Sequence, residues 1–164
     1  ALGAKVIGTV STPEKAEVAR IAGCDYPVVR SEKKFSEVVR EVTNGEGCPV
    51  VYEAIGKETI QESLDCLMPM GICAAYGHVS GPPEPIDIIK DLGQRGSLFV
   101  TRPAIMHYVA KRSDLEFTAN GLFNAISSGI LNANINYEYP LKEAVKAHEA
   151  IESGKTMGAT VLLP

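Results

Sequence analysis

Residues 5–30, which read KVIGTVSTPEKAEVARIAGCDYPVVR, decide the fold class of this 164-residue chain. Lys5–Val10 is a short, β-branched run that predicts a strand. The residues that follow, Ser11-Thr12-Pro13-Glu14, predict a helix start, because Ser or Thr before a Pro at the first helical position caps a helix. We expect this helix to end near Ala22 and a second strand to cover Pro27–Arg30. A strand, a helix and a strand in this order form the unit from which parallel sheets are built.

The same alternation continues along the chain. Further strands are predicted, each as a nearly continuous apolar run, at Pro49–Glu53, Ile72–Tyr76, Ser97–Thr101 and Ala159–Leu163. Helices are predicted between them at Glu32–Val42, Glu58–Leu67, Ile86–Leu92, Ser113–Ser128 and Leu141–Ser153. Apolar strands that alternate with helices are typical of a parallel sheet covered on both faces. The prediction is an α/β fold with a doubly wound parallel sheet.

The composition limits the possible partners. Hydrophobic residues make up 45% of the chain and charged residues 22%, which suits one domain with a buried core. The net charge is −4, and no run of Lys and Arg exceeds two residues. We therefore expect no nucleic-acid partner and no membrane partner.

Four cysteines are scattered along the chain without the paired spacing of a structural zinc site: Cys24, Cys48, Cys66 and Cys73. We interpret them as small buried hydrophobic residues and predict no metal site. A disulfide framework is not expected in a chain of this size, so the predicted location is the cytoplasm.

The carboxyl ends of the strands are where an open α/β sheet binds ligands. The loop after the first strand has no acid before Glu14, although an acid at the strand tip would hold the ribose hydroxyls of NAD. The hydroxyls of Ser11 and Thr12 and the ammonium of Lys15 suit a 2′-phosphate instead, and Arg30 adds a guanidinium from the neighbouring loop. The alternative is that Ser11 or Thr12 only caps the helix and that Lys15 is a solvated first-turn residue.

Two further loops are candidates for the same ligand. Ala54-Ile55-Gly56 follows the third strand with small residues that let an adenine or pyrophosphate approach the backbone. After the fourth strand, Tyr76 stands beside Gly77 and could flank a ribose. The alternatives are that Tyr76 packs on the sheet edge, that Gly77 makes a turn and that His78 is a polar loop residue.

Several catalytic motifs are missing from the sequence. It contains no glycine-rich G-x-G-x-x-G loop after a strand, no G-x-S-x-G elbow, no H-E-x-x-H helix and no Walker loop. No nucleophile and base can be paired, so no catalytic residue is predicted. On its chemistry, the chain is expected to bind a cofactor without supplying the catalytic machinery.

Five stretches, in order and in spacing, resemble the NADPH:quinone oxidoreductases, the zinc-free, zeta-crystallin-like branch of the medium-chain dehydrogenase/reductase superfamily. They are Ala1–Thr12, Val50–Gly56, Ser63–Leu67, Gly96–Pro103 and Thr160–Pro164. The resemblance implies a two-domain enzyme, with a GroES-like catalytic domain followed by a Rossmann domain, of which this chain would be about the C-terminal half. Residues 1–153 would then form a truncated NADP-binding Rossmann domain without its first, central strand and glycine-rich loop. Residues 154–164 would form a strand that pairs with the absent GroES-like domain.

The resemblance also implies NADPH as the cofactor and places its contacts on particular residues. Ser11, Thr12 and Lys15 match the stretch around the 2′-phosphate, and Arg30 stands where relatives often have Tyr. His78 replaces an Asn, which puts that contact in doubt. The full implied set is Ser11, Thr12, Lys15, Arg30, Ile55, Tyr76, Gly77, His78, Val79, Val100, Thr101 and Arg102.

The activity implied by the resemblance is hydride transfer from NADPH to a quinone or a similar small electrophile. Relatives tend to form homodimers by edge-to-edge pairing of the strand that matches Ser97–Thr101. The fragment by itself is expected to bind NADPH weakly or not at all and to be inactive. Alternatives are another medium-chain enzyme, such as an enoyl reductase or a zinc alcohol dehydrogenase, and a non-catalytic crystallin-like protein that binds NADPH or RNA. The acidic net charge argues against RNA.

Overall fold

The computed structural model describes residues 2–164, in which helices alternate with parallel strands. The strands are β1 (Ile7–Val10), β2 (Tyr26–Val29), β3 (Cys48–Glu53), β4 (Leu67–Ala75), β5 (Phe99–Thr101), β6 (Ile135–Pro140) and β7 (Ala159–Leu163). The α-helices are α1 (Pro13–Ile21), α2 (Phe35–Val42), α3 (Ile60–Asp65), α4 (Ile105–Tyr108), α5 (Arg112–Ser127) and α6 (Ala144–Glu152). A π-helix covers Ile88–Gly93, and a 3₁₀ turn covers Leu141–Glu143.

The chain divides into two compact units. The N-terminal unit covers Lys5–Lys111, and the C-terminal unit contains residues 2–4 and 112–164. No helix within residues 2–164 is both long enough and apolar enough to cross a membrane.

The N-terminal unit contains two parallel sheets. Strands β1 and β2 form one of them, with Ile7 opposite Tyr26 and Val10 opposite Val29. The other has the order β3-β4-β5. Within residues 2–164, β1 and β3 share no ladder. The truncation of the domain before its central strand stays a prediction. The predicted α/β class with parallel strands is confirmed.

Local sequence explains the first strand–helix unit. The Thr12 side chain accepts a hydrogen bond from the Lys15 amide at 3.3 Å, and Pro13 occupies the first turn, where its missing N–H costs no helical hydrogen bond. The helix ends before Gly23, whose φ of +99° is a left-handed conformation that favours glycine. These features match the boundaries expected from the sequence.

Two hydrophobic clusters form the core of the N-terminal unit. The first, around Leu64 and Cys73, fills the space beneath β3-β4-β5. The second contains Val28, Phe35, Val39 and Cys66, and it is joined by Ile7 of β1 and by Cys48 and Val51 of β3. Residues from both sheets pack on this second cluster, so apolar contacts join the two sheets, between which the described residues form no ladder.

The boundary between α3 and β4 differs from the expectation. The sequence predicted a helix to Leu67, ended by Pro69-Met70-Gly71, and a strand from Ile72. Strand β4 already begins at Leu67, which pairs with Cys48 before the register shifts. Met70 lies at a φ of +60°, where the strand is irregular. The predicted helix end was therefore wrong, because the proline and glycine mark a bulged strand rather than a helix terminus.

The helix predicted at Ile86–Leu92 is present as the π-helix at Ile88–Gly93. Asp87 caps it by accepting hydrogen bonds from the amides of Ile89 at 2.8 Å and Lys90 at 2.9 Å. Asp91 is buried there and forms an ion pair with Arg95 at 3.5 Å.

The C-terminal unit contains α5, α6 and a parallel sheet of β6 and β7. The two long helices and β7 lie close to their predicted positions, but β6 was missed. Its sequence, Ile-Asn-Tyr-Glu-Tyr-Pro, alternates with polar residues instead of forming an apolar run. Tyr139 of β6 pairs with Leu162 of β7. The pairing of residues 154–164 with another domain stays a prediction.

Candidate functional site at the carboxyl ends of the strands

The ends of β1 and β2 bring the first group of predicted residues together. The Arg30 amide donates a hydrogen bond to the Val10 carbonyl at 3.0 Å, which holds the two strand tips side by side. Ser11 follows the first tip and is exposed, and Arg30 follows the second and is half-buried. A hydroxyl and a guanidinium therefore leave neighbouring strands at the same edge.

Thr12 and Lys15 lie in the turn that starts α1. The Thr12 hydroxyl oxygen is the helix cap. A cofactor contact of Thr12 or Lys15 stays a prediction. The pKa of the neighbouring Glu14 lies below its ordinary value, because its own backbone N–H and the Thr12 side chain donate to the carboxylate. A negative charge therefore stands beside the hydroxyls and cations at this strand edge.

Glu53, the last residue of β3, organises the next loop, and sequence reasoning missed it. Its side chain is buried at 4% exposure. One carboxylate oxygen, Oε1, accepts hydrogen bonds from the Ile55 amide at 2.6 Å, the Gly56 amide at 3.0 Å and the Thr59 hydroxyl at 2.9 Å. The other, Oε2, accepts one from the Ser63 hydroxyl. All four donors belong to the loop after β3 or to the start of α3.

The pKa of Glu53 reflects this environment. Burial is the largest single influence and raises the pKa, but the hydrogen bonds from Ser63, Gly56, Thr59 and Ile55 together outweigh burial and lower it. The carboxylate is therefore held in its charged form. A sequence signal for this network was available: an acid ends an apolar strand, and two hydroxyl residues follow at a spacing of four, on one face of the next helix.

The loop after β4 lies against the loop after β3. The Glu53 carbonyl accepts hydrogen bonds from the amides of Tyr76 at 2.9 Å and Gly77 at 3.3 Å. The Val79 amide donates to the Ala54 carbonyl at 3.2 Å. The Ile55 carbonyl accepts two more bonds, from the amide and the hydroxyl of Ser80, both at 2.8 Å. The structure thus brings Ile55, Tyr76, Gly77 and Val79 into one cluster.

Close packing between these loops requires glycine at two positions. A Cβ on Gly77 would lie 2.4 Å from the Ala54 carbonyl oxygen. A Cβ on Gly56, which has a φ of +92°, would lie 2.6 Å from the Gly81 carbonyl oxygen and 2.9 Å from the His78 Cα. A larger residue at either position would therefore push the two loops apart.

The side chains at the tips of these loops reach solvent. Tyr76 is 51% exposed and Val79 is 85% exposed. His78 is also exposed. Half of the Tyr76 surface is therefore accessible to a ligand, even if the other half packs on the sheet edge. Its role and that of His78 stay predictions.

The remaining predicted residues, Val100, Thr101 and Arg102, lie at the end of β5 or directly after it. Val100 lies opposite Cys73 and Thr101 opposite Ala74, so their strand ends beside β4. The Arg102 guanidinium donates to the Tyr76 carbonyl and, at 3.3 Å, to the Pro103 carbonyl. Arg102 thus ties the end of β5 to the loop after β4.

Comparison with known proteins now gives the family. The sequence profile of the zinc-binding dehydrogenase family matches residues 1–113. The chain belongs to this family. Among residues 2–164, no group of three or more His, Cys, Asp or Glu side chains is arranged so that it could hold a metal ion.

Individual relatives agree with the assignment to the zinc-binding dehydrogenases. The chain is 53% identical over 163 residues to the 2-haloacrylate reductase of a Burkholderia species, with 99% of this chain and 49% of that protein covered. It is 40% identical over 166 residues to quinone oxidoreductase 1 of Escherichia coli, with 100% of this chain and 50% of that protein covered. The chain spans about half the length of these curated relatives.

Solved structures of relatives have the same fold. The crystal structure of a 2-haloacrylate reductase matches with a TM-score of 0.92 at 53% identity, and covers 99% of this chain and 51% of its own. The Escherichia coli quinone oxidoreductase complexed with NADPH matches with a TM-score of 0.93 at 39% identity, and covers 99% of this chain and 50% of its own. The Rossmann-like fold class and the resemblance to quinone oxidoreductases are confirmed.

Proposed function

We propose that this chain is the nucleotide-binding part of an NADPH-dependent reductase that acts on a quinone or a similar small electrophile. The observation that carries the proposal is the strand edge where Ser11 and Arg30 leave neighbouring strand tips and Lys15 lies in the first turn of α1. Hydroxyl, ammonium and guanidinium groups are the donors that a phosphate dianion prefers. The relative solved with NADPH, which has a TM-score of 0.93, supports the same cofactor here.

The chain's own residues would bind and orient the cofactor. We propose that Ser11, Lys15 and Arg30 hold the 2′-phosphate, with Thr12 supporting them as the helix cap. The exposed faces of Ile55, Tyr76, Gly77, His78 and Val79 would line the path of the adenosine and ribose. The end of β5 at Val100, Thr101 and Arg102 would stand nearest to the nicotinamide. When bound, NADPH supplies a hydride from C4 of its nicotinamide ring.

A second substrate class has support of its own. The chain is 53% identical to a 2-haloacrylate reductase but 40% identical to the quinone oxidoreductase of Escherichia coli. We therefore keep an electron-poor alkene that carries a carboxylate as the second candidate substrate. The test is NADPH consumption by the full-length protein with a benzoquinone and with 2-chloroacrylate, compared by kcat/KM. Consumption with neither substrate would contradict both candidates.

Cofactor choice can be tested at Arg30. In the full-length protein, Arg30→Ala is expected to raise the Kd for NADPH about tenfold, because a charge-assisted hydrogen bond to phosphate is lost. The Kd for NADH, which lacks the phosphate, is expected to change less than about twofold. Lys5→Ala is the control, since it removes the same charge two residues before β1, at the end of the strand opposite to Ser11. Equal losses for both cofactors would contradict the proposed role.

The remaining features of the resemblance are proposed with the activity. We propose zinc-independent reduction in the cytoplasm by a homodimer, with neither a nucleic-acid nor a membrane partner. The dimer is supported by β5, which pairs with β4 along one edge and has no ladder along the other within residues 2–164. Phe99 on this strand is 59% exposed. An edge strand with an exposed aromatic residue favours pairing with a second copy.

A further inference from the structure

Glu53 connects two loops that the proposed cofactor would contact. Through its side chain it holds the amides of Ile55 and Gly56, and through its carbonyl it holds the amides of Tyr76 and Gly77. The side chain turns back onto its own loop, while the main chain continues the hydrogen bonding to the segment after β4. Glu53 is therefore the point at which both loops are attached to the sheet.

The carboxylate itself does not face a ligand. It is buried at 4% exposure, and its two oxygens are occupied by four donors. A role in proton transfer or in direct binding would need an accessible oxygen. Its effect must be exerted through the backbone that it orients.

The carboxylate charge suits this position better than an amide would. Four donors converge on Glu53, and a glutamine could satisfy only some of them, because its NH₂ group would face other donors. At the same time, the close approach of Gly77 to Ala54 leaves the loops little room to adjust. A neutral residue at position 53 would therefore release the loop after β3 rather than let it settle nearby.

We propose that Glu53 is a positioning residue for the nucleotide cofactor, which shapes the loops at Ile55 and at Tyr76-Gly77 from beneath without touching the ligand. The inference rests on the proposed NADPH binding. It adds a residue that lies outside the set expected to contact the cofactor.

The test compares two buried acids in the full-length protein. Glu53→Gln is expected to raise the Kd for NADPH about tenfold, measured by the fluorescence of the bound nucleotide at a temperature where the variant is folded. Glu53→Asp keeps the charge and is expected to stay within about threefold of wild type. The matched control is Asp91→Asn, because Asp91 is also buried but contacts Asp87, Gln61 and Arg95 instead. It is expected to lower the Tm and leave the Kd unchanged.

Hydrogen exchange and a substitution of Thr59 test the same role of Glu53 in two further ways. Hydrogen exchange at the amides of Ile55 and Gly56 is expected to accelerate in Glu53→Gln and not in Asp91→Asn. If Glu53→Gln does not fold, Thr59→Val removes a single donor and is expected to raise the Kd about threefold.

Three outcomes would overturn the inference: a folded Glu53→Gln with the wild-type Kd, a Thr59→Val with the wild-type Kd, or an Asp91→Asn that weakens binding equally. Wild-type protein that does not bind NADPH would instead contradict the proposed function.

Discussion

At the scale of single residues, two acids, Glu53 and Asp91, are buried at 4% and 6% exposure and are held by hydrogen bonds. The donors to Glu53 come from the loop after β3 and from α3, whereas Asp91, inside the π-helix, accepts from the Asp87 amide and the Gln61 side chain and pairs with Arg95. A buried charge without such partners would cost several kcal/mol. The sequence must therefore supply the donors nearby, as Thr59 and Ser63 do for Glu53.

Glu53 should make stability depend on pH. Its pKa is lowered in the folded protein, so its contribution is fully present above the ordinary pKa of a glutamate and is lost as the pH falls through the lowered value. Glu53→Gln is expected to cost about 1–3 kcal/mol of unfolding free energy at neutral pH. In urea unfolding, the gap between wild type and variant should narrow below about pH 4. A gap of constant size across this range would show that the charge is not responsible.

At the scale of loops and helices, close packing requires glycine at position 77 but not at position 121. Gly77 lies where the loops after β3 and β4 meet, and a Cβ would collide with the Ala54 carbonyl. Gly121 lies within α5, where a Cβ would meet nothing within 4 Å. Neither close packing nor an unusual backbone conformation requires glycine at position 121.

This contrast predicts opposite stability changes. Gly77→Ala is expected to lower the free energy of unfolding by about 1–3 kcal/mol, because the loop must move away from Ala54. Gly121→Ala is expected to raise it by about 0.5–1 kcal/mol through the better helix propensity of alanine. Chemical denaturation of both variants gives the comparison. A neutral Gly77→Ala would mean that the two loops can separate without loss.

At the scale of the whole molecule, the exposed edge of β5 is the feature that predicts assembly. Phe99→Lys places a charge on this edge and is expected to weaken the proposed dimer at least tenfold. Ile21→Lys in α1 introduces the same charge at another exposed apolar site and should leave the dimer intact. Light scattering across a dilution series measures both. A monomeric wild type, or a dimeric Phe99→Lys, would exclude assembly through β5.

Much of the fold was predictable because its strands are apolar and its helix ends carry strong local signals. Thr12, Pro13 and Gly23 mark both ends of α1 without help from the rest of the chain. Prediction failed where local signals were ambiguous. Pro69 and Gly71 suggest a helix end but lie in the irregular part of β4, between Leu67 and Ile72, whose pairs with β3 extend the strand on both sides of them.

The candidate site, like the fold, was predictable only in part. The sequence by itself determined which residue types follow the strands, and therefore that hydroxyls, cations and glycines stand at one edge of a parallel fold. It could not show which of them bind their own backbone. Only the tertiary structure decided that Arg102 holds the Tyr76 loop and that Glu53 joins two loops. The physical reason is that hydrogen bonds depend on distance and direction, which folding sets between residues far apart in the chain.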